Sequence, residues 1–394
     1  MSERQTIYSL AKEFHLDSKT VKRLLTRTDF DTKWDHNGNL IFSDESRSKI
    51  LEYVELKKNK ETKVVQVDKQ IYSMLSLVQL RNLANTIDEQ LIIPLKYTYQ
   101  GKGSNDWENY NSKAGKNKDI GTQNKVKEDT NTINRYLFSI LESFRGYDKI
   151  NILDIGAGDG TPVIPIIRGL QERNKMGEYY GVDISDSLRE IARQNIFNST
   201  EVTPTQMTRI DLESESLAKL YSTIQNNSVN PCLVVYLAGP TFNSQYPSKI
   251  LENIRDGLGR NDIVLMTDRV YYEGMEDNFE IWDYPEIKKR ILRIPKYLGI
   301  EPEDYEVIKS YDDNTKRRNI YLELNKSIQV IIPKLNDHSI TLAKSSKLNV
   351  WTHKTGIDIC EMFYTVNNAR FKVKLMSEVA TTGVLFVLSG EYAN

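Results

Sequence analysis

One short run, Asp154-Ile155-Gly156-Ala157-Gly158-Asp159-Gly160-Thr161, carries the residue types that hold a ligand against bare backbone. Gly156 and Gly158 admit close approach because no Cβ intrudes. An acid, Asp154, stands just ahead of the first glycine. A second acid, Asp183, lies 25 residues after Gly158 and closes the next apolar run, Tyr179-Tyr180-Gly181-Val182. A carboxylate at the end of a second strand is placed to take both hydroxyls of a ribose. The types and spacing therefore suit a nucleoside held over a glycine turn.

The surrounding elements must bring these groups together. Lys149–Ile155 reads as a short buried strand, and Val163–Ile167 as the apolar helix after the turn. Strand, glycine-rich turn and helix form the first half of a Rossmann-like nucleotide site. The second strand is followed by a helix at Ser187–Asn195. A third strand ends at Arg209-Ile210-Asp211-Leu212, a fourth spans Cys232–Leu237 and a fifth Asp262–Asp268. From about residue 75 onward strands alternate with helix-like segments, which predicts an α/β domain with a mainly parallel sheet. After the apolar run Gly383–Leu388 only six residues remain, which leaves open whether the sheet has its last strand.

At these residues the chain resembles the class I S-adenosylmethionine-dependent methyltransferases. In that family the acidic glycine turn holds the methionine part of the cofactor and the second-strand acid holds the ribose. The cofactor carries a sulfonium, so an acidic turn is tolerable where a pyrophosphate would be repelled. The resemblance implies S-adenosylmethionine as cofactor and S-adenosylhomocysteine as product. It places Asp154, Gly156, Ala157, Gly158, Gly160, Thr161, Asp183, Ile184, Asp211, Leu212 and Tyr236 at the cofactor, with Asp211 accepting from the adenine amine. The other reading of Asp211 is a helix cap.

The fourth strand is followed by Leu237-Ala238-Gly239-Pro240-Thr241-Phe242-Asn243. DNA amino-methyltransferases carry Asp/Asn-Pro-Pro-Tyr/Phe here to hold a flipped base, and this chain does not. Pro231-Cys232 precedes the strand, so the Pro-Cys nucleophile of cytosine C5 enzymes is also missing. The segment is similar to the Leu-Gly-Ser-x-x-Gly-Asn-Phe motif of the histidine Nα-methyltransferases of ergothioneine biosynthesis. Tyr97–Ser104 resembles that family's upstream Tyr-Asp-x-x-Gly-Ser segment, which puts Tyr99 and Gly103 at the cofactor. Ile357–Phe371 resembles its Thr-Glu-x-Ser-x-Lys-Phe stretch. There the family's Glu and Ser positions hold Val366 and Asn368, and a valine cannot pair with an ammonium. The implied acceptor is an amino acid, peptide or other small amine that is not free histidine. The candidate catalytic residues are Asn243, Tyr272, Tyr321 and Asn368, with Tyr110 and Tyr271 as further aromatic candidates. The 22 tyrosines against 11 phenylalanines suit a polar aromatic pocket.

Residues 1–57 read differently. Leu10, Ala11 and Phe14 make one helix face; Val21, Leu24 and Leu25 make a second, capped by Asp17 or Ser18. Asn37-Gly38-Asn39 is a turn before a strand at Leu40–Phe42, and Ser43–Glu45 opens a third helix. The order resembles the helix-turn-helix modules of MerR and excisionase proteins. Lys19, Lys22 and Arg23 fall on the second helix, where phosphate contacts would be wanted, so DNA is a partner of this module or the module is a docking domain with a solvated basic face. Residues 1–60 hold 12 Lys+Arg and 10 Asp+Glu, a small excess of two positive charges. Residues 58–74 read as a Lys-rich linker. The expected architecture is a Rossmann-like methyltransferase sheet at 126–268 and 373–394, an inserted α+β substrate domain at 75–125 and 269–372, and the N-terminal winged module. A second reading is a DNA-binding regulator whose methyltransferase-like domain binds S-adenosylmethionine or another ligand without turnover.

A net charge of −1 argues against a chain coated in nucleic acid and gives no hint of a membrane-surface role. The longest apolar runs are too short and polar to span a bilayer, and the N-terminus lacks the apolar stretch of a signal peptide. Cys232 and Cys360 read as separate thiols, and the expected compartment is the cytoplasm. The four histidines lack metal-ligand spacing, so no metal is expected.

Overall fold

The computed structural model describes residues 4–5, 32–34, 40–42, 62–114, 121–237, 241–244, 246–271, 279–354, 356–378 and 383–390. The chain divides into two compact units, one of residues 1–98, 288–310 and 319–352, the other of residues 99–287, 311–318 and 353–394.

The second unit is built on a seven-stranded sheet. Its strands are β1 (Ile150–Ile155), β2 (Met176–Asp183), β3 (Gln206–Arg209), β4 (Cys232–Tyr236), β5 (Ile263–Asp268), β6 (Phe371–Met376) and β7 (Val384–Gly390). Their order is β6-β7-β5-β4-β1-β2-β3. The strands β3, β2, β1, β4 and β5 pair in parallel, and β7 enters antiparallel to β5 and to β6. The run expected near the end of the sequence is β7, the strand that joins β6 to β5. The chain winds outward from β1 through β2 to β3, then returns to lay β4 on the other side of β1. Ligands of open parallel sheets bind outside the carboxyl ends of the strands at such a reversal.

Seven helices of this unit matter to the site: α1 (Lys102–Ala114), α2 (Gly121–Glu142), α3 (Ile164–Glu172), α4 (Asp186–Thr200), α5 (Ala218–Asn227), α6 (Pro247–Arg255) and α7 (Ile359–Asn368). Alternate residues of each strand face opposite sides of the sheet. Leu153, Ile155, Val182, Val234 and Met266 pack with Leu220 and Ile224 of α5, Leu251 and Ile254 of α6, and Met362 and Val366 of α7. Ile150, Ile152, Tyr179, Val235 and Leu265 pack on the other face with Ile133 and Ile140 of α2, Ile166 and Ile167 of α3, and Ala192 and Ile196 of α4. A sheet buried on both faces explains why the strands read as continuous apolar runs.

In the first unit, Ile328–Ile332 pairs antiparallel with His338–Leu342 and parallel with Lys63–Gln66. This corrects the expected linker. Val64-Val65 is β-branched and outweighs its lysine neighbours, and Val330 stands opposite Val65. Lys63 and Lys326 both reach the buried Asp304 carboxylate, at 2.5 and 3.0 Å. The expected substrate domain is corrected as well. Residues 99–125, 269–287, 311–318 and 353–372 fall in the unit of the seven-stranded sheet, and α7 packs its apolar side on that sheet. The strand expected at Leu40–Phe42 is present, antiparallel to Arg4–Gln5 and to Thr32–Trp34. The rest of the expected helix-turn-helix, with Lys19, Lys22 and Arg23, lies outside the described residues. No helix among the described residues is long and apolar enough to cross a membrane. Cys232 is buried and Cys360 exposed, and neither forms a disulfide.

The start of β4 is fixed by the buried Asp262, whose carboxylate accepts from Cys232 N and Gly259 N, both at 2.7 Å. Replacing it with alanine leaves two amides in a dry site without an acceptor. Asp262→Ala is expected to lower stability by about 2–4 kcal/mol, read from urea midpoints, with Asp262→Asn losing less.

Candidate functional site

The glycine turn begins where β1 ends. Gly156, Gly158 and Gly160 all have positive φ, at 63°, 56° and 76°. An L side chain adopts that backbone only with strain. At Gly160 a Cβ would also lie 3.1 Å from the Ala192 backbone of α4, so the turn sits directly on the next helix. Ala157 N donates to Val182 O at 3.0 Å, which ties the turn to β2. Thr161 N donates to Asp159 Oδ1 at 3.0 Å, and Asn195 of α4 donates to Asp159 O at 2.9 Å.

Asp183, the last residue of β2, is the clasp. Its Oδ2 accepts from Gly158 N at 3.0 Å and its Oδ1 from Ser185 N at 2.8 Å. Each oxygen keeps a second lone pair. The side chain is buried, and burial lifts its pKa to about 6 against the pull of these backbone amides and of Arg189. Asp154 is buried beside it on the adjacent strand and accepts from Tyr179 OH at 2.7 Å. Burial raises its pKa to about 7, and the charges of Asp183 and Asp159 push the same way against the Tyr179 hydrogen bond. The end of the sheet thus holds two buried acids that ionise reluctantly.

The segment expected to bring Tyr99 and Gly103 here does reach the turn. Gln100 donates to Ile184 O at 3.1 Å. Ser104 donates to Tyr99 O at 2.7 Å and lies 2.8 Å from the Ser185 hydroxyl. Tyr99 packs edge-on against Trp107 of α1, and Gly103 is buried in the first turn of that helix. Tyr236, the last residue of β4, is buried; a Cβ on Gly156 would stand 3.7 Å from its ring. Leu212 packs at the edge of the core, and its carbonyl accepts from Asn253 of α6 at 2.7 Å.

Asp211 caps no helix, since the next one begins at Ala218 without a side-chain cap; it closes a turn. Its Oδ1 accepts from Glu213 N at 3.1 Å and its carbonyl from Glu215 N at 2.7 Å, closing a turn after β3.

Asn243 ends the short helical turn Thr241–Asn243 that follows β4. Its Oδ1 accepts from Lys354 N at 3.0 Å. Arg317 holds the same turn from the other side, donating to Phe242 O at 2.8 Å and Ser244 O at 2.9 Å. Asn368 is a correction. It is exposed at the C-terminal end of α7, next to the start of β6. The register Phe371–Gly390 places that start at the opposite edge of the sheet from Asp154 and Asp183, so Asn368 cannot reach the turn. Val366 of the same helix is fully buried in the core, so its valine is a packing residue. Tyr321 lies in the first unit, on the strand Arg317–Leu324. Tyr272 lies outside the described residues, and of the Tyr110 side chain nothing is described. Among the described residues no three His, Cys, Asp or Glu side chains gather as a metal site.

Sequence reasoning missed Tyr179, Ser185, Gln100 and Arg317. Ser185 alone had a local signal, as the residue two after a strand-ending acid and ahead of a helix.

No protein-family model matches the sequence, and no characterised protein matches it. Among solved structures the chain is similar to an S-adenosylmethionine-dependent methyltransferase from Clostridium acetobutylicum, at 11% identity over 71% of this chain and 98% of that one, with a TM-score of 0.38. It is similar to magnesium protoporphyrin IX methyltransferase from Synechocystis, determined with S-adenosylhomocysteine bound, at 10% identity over 75% and 98% and a TM-score of 0.36. A third is the CMeT domain of citrinin polyketide synthase, at 12% identity over 97% and 76% and a TM-score of 0.37. Likenesses this distant carry no argument; the fold reading stands on strand order and register.

The two acids set the sign of a pH effect. Their native pKa values lie above the ordinary carboxylate value of 3.8. Between about pH 4 and pH 7 the native state therefore holds protons that the unfolded chain has released. Their contribution to stability falls as pH rises through that window. Asp154→Asn is expected to flatten the decline in melting temperature between pH 5 and pH 8 relative to wild type, read by calorimetry; parallel curves would show that Asp154 titrates normally.

Proposed function

We propose that this chain is an S-adenosylmethionine-dependent methyltransferase acting on an amine nitrogen of a small molecule or peptide other than free histidine. The Asp183 clasp carries the reading. One carboxylate at the end of β2 holds the amide of Gly158 in the turn and that of Ser185 at the head of α4. Its remaining lone pairs suit the two hydroxyls of a ribose. The residues fit this cofactor better than a dinucleotide. Two buried acids beside a turn bearing Asp159 repel a pyrophosphate, whereas a cationic ligand relieves their mutual repulsion. Gly156 and Gly158 leave the backbone bare on the ligand side, with Tyr236 as the wall.

When bound, S-adenosylmethionine supplies a methyl group on a sulfonium and leaves as S-adenosylhomocysteine. The task left to the protein is alignment, since the displacement is in line. Asn243 stands on the turn just past β4, with its amide orientation fixed by Lys354 N. From that place Asn243 is proposed to orient a neutral amine N–H. The acceptor must reach the methyl uncharged, so its proton passes to water before transfer.

Calorimetry on the purified full chain tests the reading. S-adenosylmethionine and S-adenosylhomocysteine are both expected to bind, and Asp183→Ala is expected to weaken both at least about 100-fold through loss of a charge-assisted contact pair. Affinity for the sulfonium form is expected to rise between pH 5.5 and pH 8 as Asp183 and Asp154 ionise. Absence of heat with either ligand in wild type would overturn the proposal.

A further inference from the structure

Tyr179 of β2 puts a hydroxyl where packing asks only for a ring. Its side chain is fully buried in the apolar cluster on one face of the sheet, with Ile152, Ile166, Ile167 and Ala192. A phenylalanine would fill that space as well. A phenol buried there needs a partner for its O–H, and the partner is Asp154 Oδ2, at 2.7 Å.

The strand register makes the contact possible. Tyr179 stands opposite Ile152 and Gly181 opposite Asp154, so Tyr179 and Asp154 are diagonal neighbours on one face of the β1–β2 pair. Directly across from Asp154 the side chain is missing. A Cβ on Gly181 would lie 3.4 Å from the Tyr179 ring and 2.5 Å from Met207 Sδ. A glycine inside a strand weakens it and marks a close approach; here the approach is that of the Tyr179 ring as it runs toward the end of β1. One oxygen of Asp154 is thereby committed, and Oδ1 makes no hydrogen bond among the described residues.

The charged groups acting on Asp154 are Asp183 of β2 and Asp159 of the turn, and both oppose its ionisation, as burial does. From β4 and from α2, α3 and α4 the residues in this cluster are aliphatic, among them Val235, Ile133, Ile166 and Ala192, while Arg189 of α4 acts on Asp183. Tyr179 works in the other direction, because its O–H favours the ionised carboxylate. Burial and the charges of Asp154 and Asp183 hold the phenol itself well above its ordinary pKa, so it stays a donor.

We infer that Tyr179 is a positioning residue of the donor site: its O–H holds one oxygen of Asp154, favours the charged carboxylate and leaves Oδ1 to a cationic ligand. The cationic donor rests on the methyltransferase reading; the hold of Tyr179 on the Asp154 charge does not. Below neutral pH such a ligand must displace the proton that Asp154 carries in the free chain, which passes to solvent. Tyr179 thus sets the pH above which the donor binds tightly.

Tyr179→Phe keeps the ring and removes the bond, and two measurements on the full chain test its effect. The first follows the Asp154 carboxyl carbon by NMR of ligand-free, aspartate-labelled protein between pH 5 and pH 9. Its midpoint is expected near pH 7 in wild type, at the pKa of about 7, and about one unit higher in the variant. The second is calorimetry with S-adenosylmethionine and with adenosine, which carries the same ribose and no cationic centre. The variant is expected to bind S-adenosylmethionine about five-fold more weakly at pH 7, a deficit that shrinks toward pH 8.5, and to bind adenosine as wild type does. In an Asp154→Asn background the same substitution is expected to leave S-adenosylmethionine affinity unchanged at every pH. The inference is overturned if Asp154 titrates alike in both proteins, if the deficit is the same at all pH values, or if adenosine weakens equally. A wild type that binds no S-adenosylmethionine, with the Asp154 midpoint still displaced in Tyr179→Phe, would strike the methyl-donor reading and leave the Tyr179 hold on Asp154 standing.

Discussion

The arrangement at the sheet's carboxyl edge depends on one carboxylate accepting two backbone amides from separate segments. Asp183 joins Gly158 to Ser185, and so fixes a turn that three positive-φ glycines would otherwise leave loose. Gly160 then rests on α4 with no room for a side chain, which makes turn and helix one body. The segment Gln100–Ser104 fastens to the same place through Ile184 O and the Ser185 hydroxyl. A glycine-rich turn is entropically expensive to order. Here three independent attachments to the residues around Asp183 offset that expense.

The same carboxylates are a liability in the free protein. Asp154 and Asp183 sit on neighbouring strands, both dry, and the charge of Asp183 makes Asp154 harder still to ionise. Such strain persists only where the rest of the fold over-determines it. The sheet does so, because β1 and β2 are clad on both faces by buried aliphatic side chains. A positively charged ligand would convert this penalty into affinity, which is the common logic of perturbed acids at functional sites.

Much of this was legible because the signals are local. The glycine run, the acid ahead of it and the acid closing the next strand are fixed by chain order, and chain order dictates adjacency in a parallel sheet. Errors arose where packing over long separations decides. Asn368 looked like a site residue by position in a motif, yet α7 carries it to the far edge of the sheet. The Val64-Val65 pair became a strand only because Ile328–Ile332, more than 260 residues later, supplied an edge to join. Arg317 reaches back 75 residues to Phe242, and no periodicity or composition marks such a contact. The expected boundaries failed for the same reason, since the sheet recruits α7 from sequence that reads as an insertion.

The strand order also divides the labour of the edge. The reversal of winding between β1 and β4 leaves a crevice with the glycine turn and both acids on one flank. The Asn243 turn stands past the end of β4, on the other, held by Lys354 N and by Arg317. The acid flank is built from residues close in sequence, whereas the Asn243 turn is fixed by residues far along the chain. A donor with a cationic centre is drawn to the acids. An acceptor oriented at Asn243 would meet it where β1 and β4 end, which is the alignment an in-line transfer requires.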